Sequence, residues 1–241
     1  MRGIWLPLCL CAAPASADCR LALLLAVDVS RSVDAADYVI QTEGLAAALT
    51  DPAVQAEFLS AEGNVALAVY YWSGSSHQEI VVPWVMVETP AQLAVVVDQV
   101  RARPRPQVNL PTALGWSLVY ARDVLNDAPP CARQVLDVAG DGQNNDGISA
   151  ASAYRRVDFG DVVVNGLAIG EHESGVAAYY RDEVIRGPGA FVEFAPTQGD
   201  YPRAIRRKLL RELRGPMLGA VAPQNATPGQ DDGVFIGPHP L

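Results

Sequence analysis

Ala26-Val27-Asp28-Val29-Ser30-Arg31-Ser32-Val33-Asp34 closes an apolar run with oxygen-bearing side chains at every second position. The residues before it, Leu21 to Val27, are almost continuously apolar, the pattern of a strand buried on both faces. Alternate residues of an extended segment point the same way. Asp28, Ser30 and Ser32 therefore converge on one spot where the strand meets solvent. Asp34 then stands as the N-cap of a helix running to about Leu49.

Beyond this stretch, apolar strands alternate with helical periods. Val65 to Trp72 and Glu79 to Val85 flank a Gly-Ser turn and form an antiparallel hairpin. A helix starting at Pro90 reaches about Arg101, and Arg103 to Pro111 is too rich in Pro to continue it. A helix follows over about Thr112 to Asn126, then a strand over Arg133 to Ala139 that runs into Gly140-Asp141-Gly142-Gln143-Asn144-Asn145. Ser149 to Val157 reads as helix, Val162 to Ile169 as strand, Val176 to Ile185 as helix and Phe191 to Ala195 as strand. Tyr201 to Arg214 reads as a basic amphipathic helix whose basic face is solvated. This alternation predicts an α/β fold with a mostly parallel sheet and one antiparallel edge strand. Such sheets bind ligands at the carboxyl ends of their strands, where the strand order reverses. Asp28 to Ser32 and Asp141 share that rim.

The 241 residues are half hydrophobic, enough for one sizeable core. A formal charge of −9 argues against nucleic acid or an anionic membrane surface as the main partner. Residues 1–17 read as a signal peptide: Arg2, the apolar stretch Ile4 to Ala13, and the small-x-small site Ala15-Ser16-Ala17. The alternative is a buried N-terminal strand. No other stretch is long and apolar enough to span a bilayer, so the mature chain is expected to lack an integral membrane segment. Removal of the leader takes Cys9 and Cys11 and leaves Cys19 and Cys131, whose pairing is the default in an oxidising compartment. Closing a loop of that length stabilises by roughly 4–5 kcal/mol on chain entropy alone. Residues 216–241 are rich in Pro, Gly, Ala, Gln and Asp without periodicity and read as a flexible tail.

Oxygen donors are what Mg²⁺, Mn²⁺ and Ca²⁺ take, whereas Zn²⁺ and copper prefer His and Cys. Asp141 adds a carboxylate at a second strand end, and Thr112 offers a hydroxyl from the loop Asn109-Leu110-Pro111-Thr112. Taken one at a time, each of these residues also suits a helix cap. No G-x-S-x-G elbow and no phosphate-binding Gly-rich loop stands at a strand–helix turn.

Together, D-x-S-x-S, the later Thr and the later Asp resemble the metal-ion-dependent adhesion site (MIDAS) of von Willebrand factor A (vWA) domains, over about Cys19 to Gly215. Gly140-Asp141-Gly142 with Asn144-Asn145, the leader and the early Cys more narrowly resemble a group of exported bacterial vWA-like proteins of unknown function. The resemblance implies a doubly wound six-stranded sheet of order 3-2-1-4-5-6, strand 3 antiparallel, with helices on both faces, over residues 18–215. It implies that Ser30 and Ser32 bind Mg²⁺ (or Mn²⁺ or Ca²⁺) directly, Thr112 directly in the ligand-occupied state, and Asp28 and Asp141 mainly through waters. The ion then recruits a carboxylate from a partner protein or glycan.

That order also sets the amino ends of the Cys19 and Cys131 strands side by side, within reach of a disulfide. Asn144, Asn145, Glu171 and His172 are candidate rim contacts, within a Glu171-His172-Glu173 loop that otherwise reads as solvated. Asp146 is expected to cap the Ser149 helix. The expectation is a periplasmic or secreted bacterial binding module that performs no chemistry. The alternatives are a metal-dependent hydrolase of the same architecture and a structural envelope-complex subunit with an unfilled site.

Overall fold

The chain is seen in a computed structural model that describes residues 19–60, 62–106 and 109–215. The signal-peptide reading of residues 1–17, with Cys9 and Cys11, and the tail reading of 216–241 lie outside the described residues. In chain order the strands are β1 (Cys19–Asp28), β2 (Asn64–Trp72), β3 (Gln78–Val87), β4 (Gln134–Gly140), β5 (Val163–Ile169) and β6 (Val192–Ala195). They form one sheet in the order β3-β2-β1-β4-β5-β6, and only the β2–β3 pair is antiparallel. The helices are α1 (Ala35–Thr50), α2 (Pro52–Phe58), α3 (Pro90–Ala102), α4 (Leu114–Asn126), α5 (Ala150–Arg156), α6 (Val176–Tyr179) and α7 (Tyr201–Arg214).

The period-two rule divides β1 between two cores. Leu21, Leu23, Leu25 and Val27 pack with residues of α1, α3 and α7 on one face; Leu24 and Ala26 pack with α4 and α5 on the other. Leu21, Leu23 and Leu24 have no exposed surface. Each such side chain contributes about 1.5–3 kcal/mol of burial, which makes β1 the axis of the fold. The β1 strand pairs in parallel with β2 on one side and β4 on the other. The connections leave in opposite directions there, opening a crevice at the carboxyl ends of β1 and β4.

The disulfide joins Cys19 and Cys131 with their Cα atoms 4.6 Å apart. Just beyond it, Ala132 N donates to Cys19 O (2.9 Å) and Ala22 N to Arg133 O (2.9 Å), so the bridge fastens the amino ends of β1 and β4. Its Cys19→Ser, Cys131→Ser variant is expected to lose about 2–5 kcal/mol of unfolding free energy, a range whose upper end is the chain-entropy figure for so long a loop. Urea denaturation checks this. The rim lies a full strand length away, so the ligand properties of the site should not change.

Two expectations need correction, and one element was not foreseen. The helix α2 was not anticipated; Asp51 caps it, its side chain accepting from Ala53 N and Val54 N, and Pro52 opens it. The helix expected over Val176 to Ile185 is a single α turn followed by a π turn over Tyr180–Val184, which carries the buried Tyr180 ring against Gly166 of β5. The basic face of α7 is not simply solvated. Arg206 pairs with Asp51 (2.7 Å), Arg214 with Glu57 (2.7 Å) and Arg207 with Glu193 (2.5 Å), while Lys208 is fully buried. No helix of the described residues is long and apolar enough to cross a membrane.

Candidate functional site

The crevice is built from the end of β1. Asp28 Oδ1 accepts from Ser30 N at 2.7 Å, which turns the chain out of the strand and directs the following hydroxyls inward. Ser30 Oγ lies 3.2 Å from Ser32 Oγ, and Thr112 Oγ1 donates to Ser30 Oγ at 3.2 Å. Ser32 Oγ donates to Asp141 Oδ1 at 2.6 Å. The structure thus brings all five predicted residues together, from the ends of β1 and β4 and from the loop before α4. Asp28, Ser30 and Asp141 have no exposed surface.

This arrangement concentrates negative charge. Burial first, and then the Asp141 carboxylate, push Asp28 well above the usual carboxylate range. Burial likewise raises Asp141, opposed by the Ser32 hydrogen bond and by His172. Asp28 Oδ2 and the Tyr180 hydroxyl are both buried without a hydrogen-bond partner. They flank Gly140, where an added Cβ would fall 2.5 Å from the Tyr180 oxygen and 3.0 Å from Asp28 Oδ2. Only glycine leaves room there.

An outer ring of residues surrounds these five. His172 Nε2 lies 3.1 Å from Asp37 Oδ2 and 4.0 Å from Asp141 Oδ2. Gln198 Nε2 donates to Asp141 Oδ2 (3.4 Å), and Gln41 Nε2 donates to Gln198 Oε1 (3.1 Å). The Glu171-His172-Glu173 loop is solvent-exposed at Glu171 and His172, as expected, and is also tied down: Glu171 Oε2 accepts from Gln198 N (2.6 Å) and Glu173 Oε2 from Gln143 N (2.8 Å). Asn144 and Asn145 turn their side-chain oxygens to the neighbouring Thr112 loop, Asn144 Oδ1 accepting from Gly115 N (3.0 Å) and Asn145 Oδ1 from Thr112 N (2.8 Å). Asp146 does not cap α5. It accepts from Ser75 N (2.9 Å), while Ser149 caps that helix with its own hydroxyl.

Sequence reading missed Asp37, Gln41, Tyr180 and Gln198. Asp37 carried a local signal, since it completes a capping box with Asp34, but that signal says nothing of His172. The others are brought in by tertiary packing alone.

The donor chemistry fits a hard divalent cation: three hydroxyls and two carboxylates, with one buried carboxylate oxygen unpartnered. Among the described residues no group of three or more His, Cys, Asp or Glu side chains is placed to hold a metal.

The sheet order and the flanking helices define a Rossmann-like α/β fold of vWA type. Proximal thread matrix protein 1 from the mussel byssus is similar at TM-score 0.60 and 12% identity, over 83% of this chain and 49% of that one. Another structure of that protein, described as having a zinc-occupied MIDAS motif, matches at TM-score 0.58 and 14% identity. The pilus adhesin SpaC from Lactobacillus rhamnosus GG matches at 0.56 and 13%, over 81% of this chain and 31% of that one. The conserved hypothetical protein BatB from Bacteroides thetaiotaomicron matches at 0.53 and 13%, over 80% and 98%. The chain spans about half the length of the byssus protein, and at such identities the likeness is one of fold. The chain belongs to the family described as protein of unknown function (DUF1194), whose profile matches residues 18–217. A comparison with curated proteins finds no match.

Proposed function

We propose that the chain is an exported binding module in which Asp28, Ser30, Ser32, Thr112 and Asp141 hold a divalent cation, Mg²⁺ or in its place Mn²⁺ or Ca²⁺, that engages a carboxylate on a partner protein. One observation carries this reading: the Thr112, Ser30, Ser32 and Asp141 oxygens form a continuous chain beside the buried, half-partnered Asp28. The hydroxyls bring no charge, so the two carboxylates supply what holds the ion. When bound, the ion supplies a Lewis-acid centre for an outside carboxylate oxygen. Asp28 and Asp141 stay fixed, one by the Ser30 amide and the other by Ser32 and Gln198.

The resemblance to adhesion and matrix proteins supports a binding role by fold. The Cys19–Cys131 bridge suits an oxidising, extracytoplasmic compartment. In this reading the chain performs no chemistry of its own.

Calorimetric titration with Mg²⁺ tests the cation. Saturable uptake of about one ion per chain, reversed by EDTA, is expected. Uptake that persists unchanged when Ser30 and Ser32 are both replaced by Ala would refute the assignment. Chelator-sensitive binding of a Glu-bearing peptide, and none of its Gln counterpart, is the matching expectation for the partner.

A further inference from the structure

Four polar contacts tie the loop after Asp141 to the loop that carries Thr112. Thr112 N donates to Asn145 Oδ1 (2.8 Å), and Thr112 O accepts from Asn145 N (2.9 Å) and Asp146 N (3.2 Å). Gly115 N donates to Asn144 Oδ1 (3.0 Å). That last bond replaces a missing cap. The N-cap of α4 is Ala113, which has no side chain to offer, and Gly115 N is one of the amides an N-cap oxygen would otherwise satisfy. The cap comes from a residue 29 positions away. The two segments touch so closely that a Cβ on Gly115 would lie 2.1 Å from Ile148 O. Asp146 extends the strap to the β2–β3 turn through Ser75 N, and Ala113 N donates to Ser73 O (2.8 Å) in the same turn.

The Thr112 loop is also held at Leu110, whose carbonyl accepts from Arg31 N (2.9 Å), and at Ala113, but at Thr112 itself both the N–H and the C=O are clamped by the loop after Asp141, and that clamp sets where the hydroxyl stands. We infer that Asn145, supported by Asn144 and Asp146, is a positioning residue of the cation site, fixing the Thr112 hydroxyl against Ser30. This rests on the cation reading above. It assigns a task to Asn144, Asn145 and Asp146, whose side-chain oxygens accept from the Gly115, Thr112 and Ser75 amides. Supporting residues around a metal set affinity by orienting the ligands, and losing one typically lowers affinity 10–100-fold.

The test is Asn145→Ala in the full chain, read two ways. In ion-free protein, hydrogen exchange of the Thr112 amide should speed up while the β1 and β4 amides stay protected. In calorimetry with Mg²⁺ alone, affinity should fall about tenfold. Asn145→Asp, which keeps an acceptor for the Thr112 amide, should restore it. In a Thr112→Ala background, Asn145→Ala should cause no further fall, because the residue acts through Thr112.

If Asn145→Ala is too unstable to purify, Asn144→Ala carries the same test, with exchange at Gly115. Unchanged Mg²⁺ affinity in the Ala variant overturns the inference, as does an equal fall in the Thr112→Ala background. A wild-type chain that takes up no Mg²⁺ overturns the cation reading instead. The exchange of Thr112 alone then decides whether Asn145 positions it.

Discussion

Asp28→Asn is expected to abolish the stabilisation by Mg²⁺ that the proposed cation site would give, and to leave the ion-free fold at least as stable as the wild type. Both halves of this expected result follow from the same crowding. Asp28 is fully buried, and one of its oxygens accepts from Ser30 N while the other has no hydrogen-bond partner. The Asp141 carboxylate adds its repulsion. An isolated buried charge of this kind is costly until a cation arrives. Burial already pushes the Asp28 carboxyl toward its neutral form in the ion-free chain, and asparagine is a neutral side chain of the same shape that keeps an acceptor for the Ser30 amide, so the ion-free protein loses nothing. The same change removes one of the two carboxylates that would hold a divalent ion.

A ligand present at a hundred times its dissociation constant stabilises by about 2.7 kcal/mol. For a domain of this size that is a rise of about 5–10 °C in Tm. Wild type should show this rise with Mg²⁺ and lose it with EDTA; Asp28→Asn should show none. A Mg²⁺-dependent rise that survives in the variant would place the ion elsewhere.

The sheet was legible because its strands are written in local patterns. The Leu21 to Val27 run, the hairpin around Gly74 and the spacing of Asp28, Ser30 and Ser32 depend on period two, and a strand preserves that period whatever it packs against. The disulfide was legible because the expected loss of the leader leaves a single pair of cysteines. What failed is long-range. Asp146 lies three residues before Ser149, so a cap was the local inference, yet its partner Ser75 is 71 positions away. Gln198 and Gln41 meet across 157 positions and carry no signal in either neighbourhood.

The helix α2 was missed although Asp51-Pro52 is a start signal, because seven residues are too few to establish a period. Lys208 was misread for a different reason. It stands among Arg203, Arg206, Arg207, Arg211 and Arg214, and composition drew it to the surface. Its spacing from Ala204, Ile205, Leu209 and Leu213 puts it on the inward stripe. Asp137, a lone carboxylate within the apolar strand Val135-Leu136-Asp137-Val138, was the other half of that signal.

That buried cluster yields the second large effect. Lys208 Nζ lies 2.7 Å from Asp137 Oδ1 and 2.6 Å from Glu212 Oε1, and none of the three residues is more than 3% exposed. The contact to Asp137 is an ion pair without hydrogen-bond alignment, whereas Glu212 also accepts from Lys208 and from Asn165 Nδ2 (2.9 Å). One cation thus faces two carboxylates. Burial, and then Glu212, push Asp137 up to about 7 against the opposing pull of Lys208. Lys208→Met removes the cation that contacts both carboxylates, and breaking a buried pair in this way costs about 3–5 kcal/mol.

The pH dependence has a definite sign. Asp137 in the folded chain holds its proton up to about pH 7, while in the unfolded chain it releases it near pH 4. Between those values the folded state binds more protons, so the contribution of Asp137 to stability falls as pH rises and levels off above 7. Asp137→Asn should therefore flatten the wild-type stability profile between pH 4 and 7. The Lys208→Met penalty should be largest at pH 8, where Asp137 is ionised, and smaller at pH 5, where Asp137 carries its proton. Urea denaturation of the three proteins at the two pH values measures this. A Lys208→Met penalty that is equal at both, or larger at pH 5, would show that Asp137 is already ionised throughout the folded range.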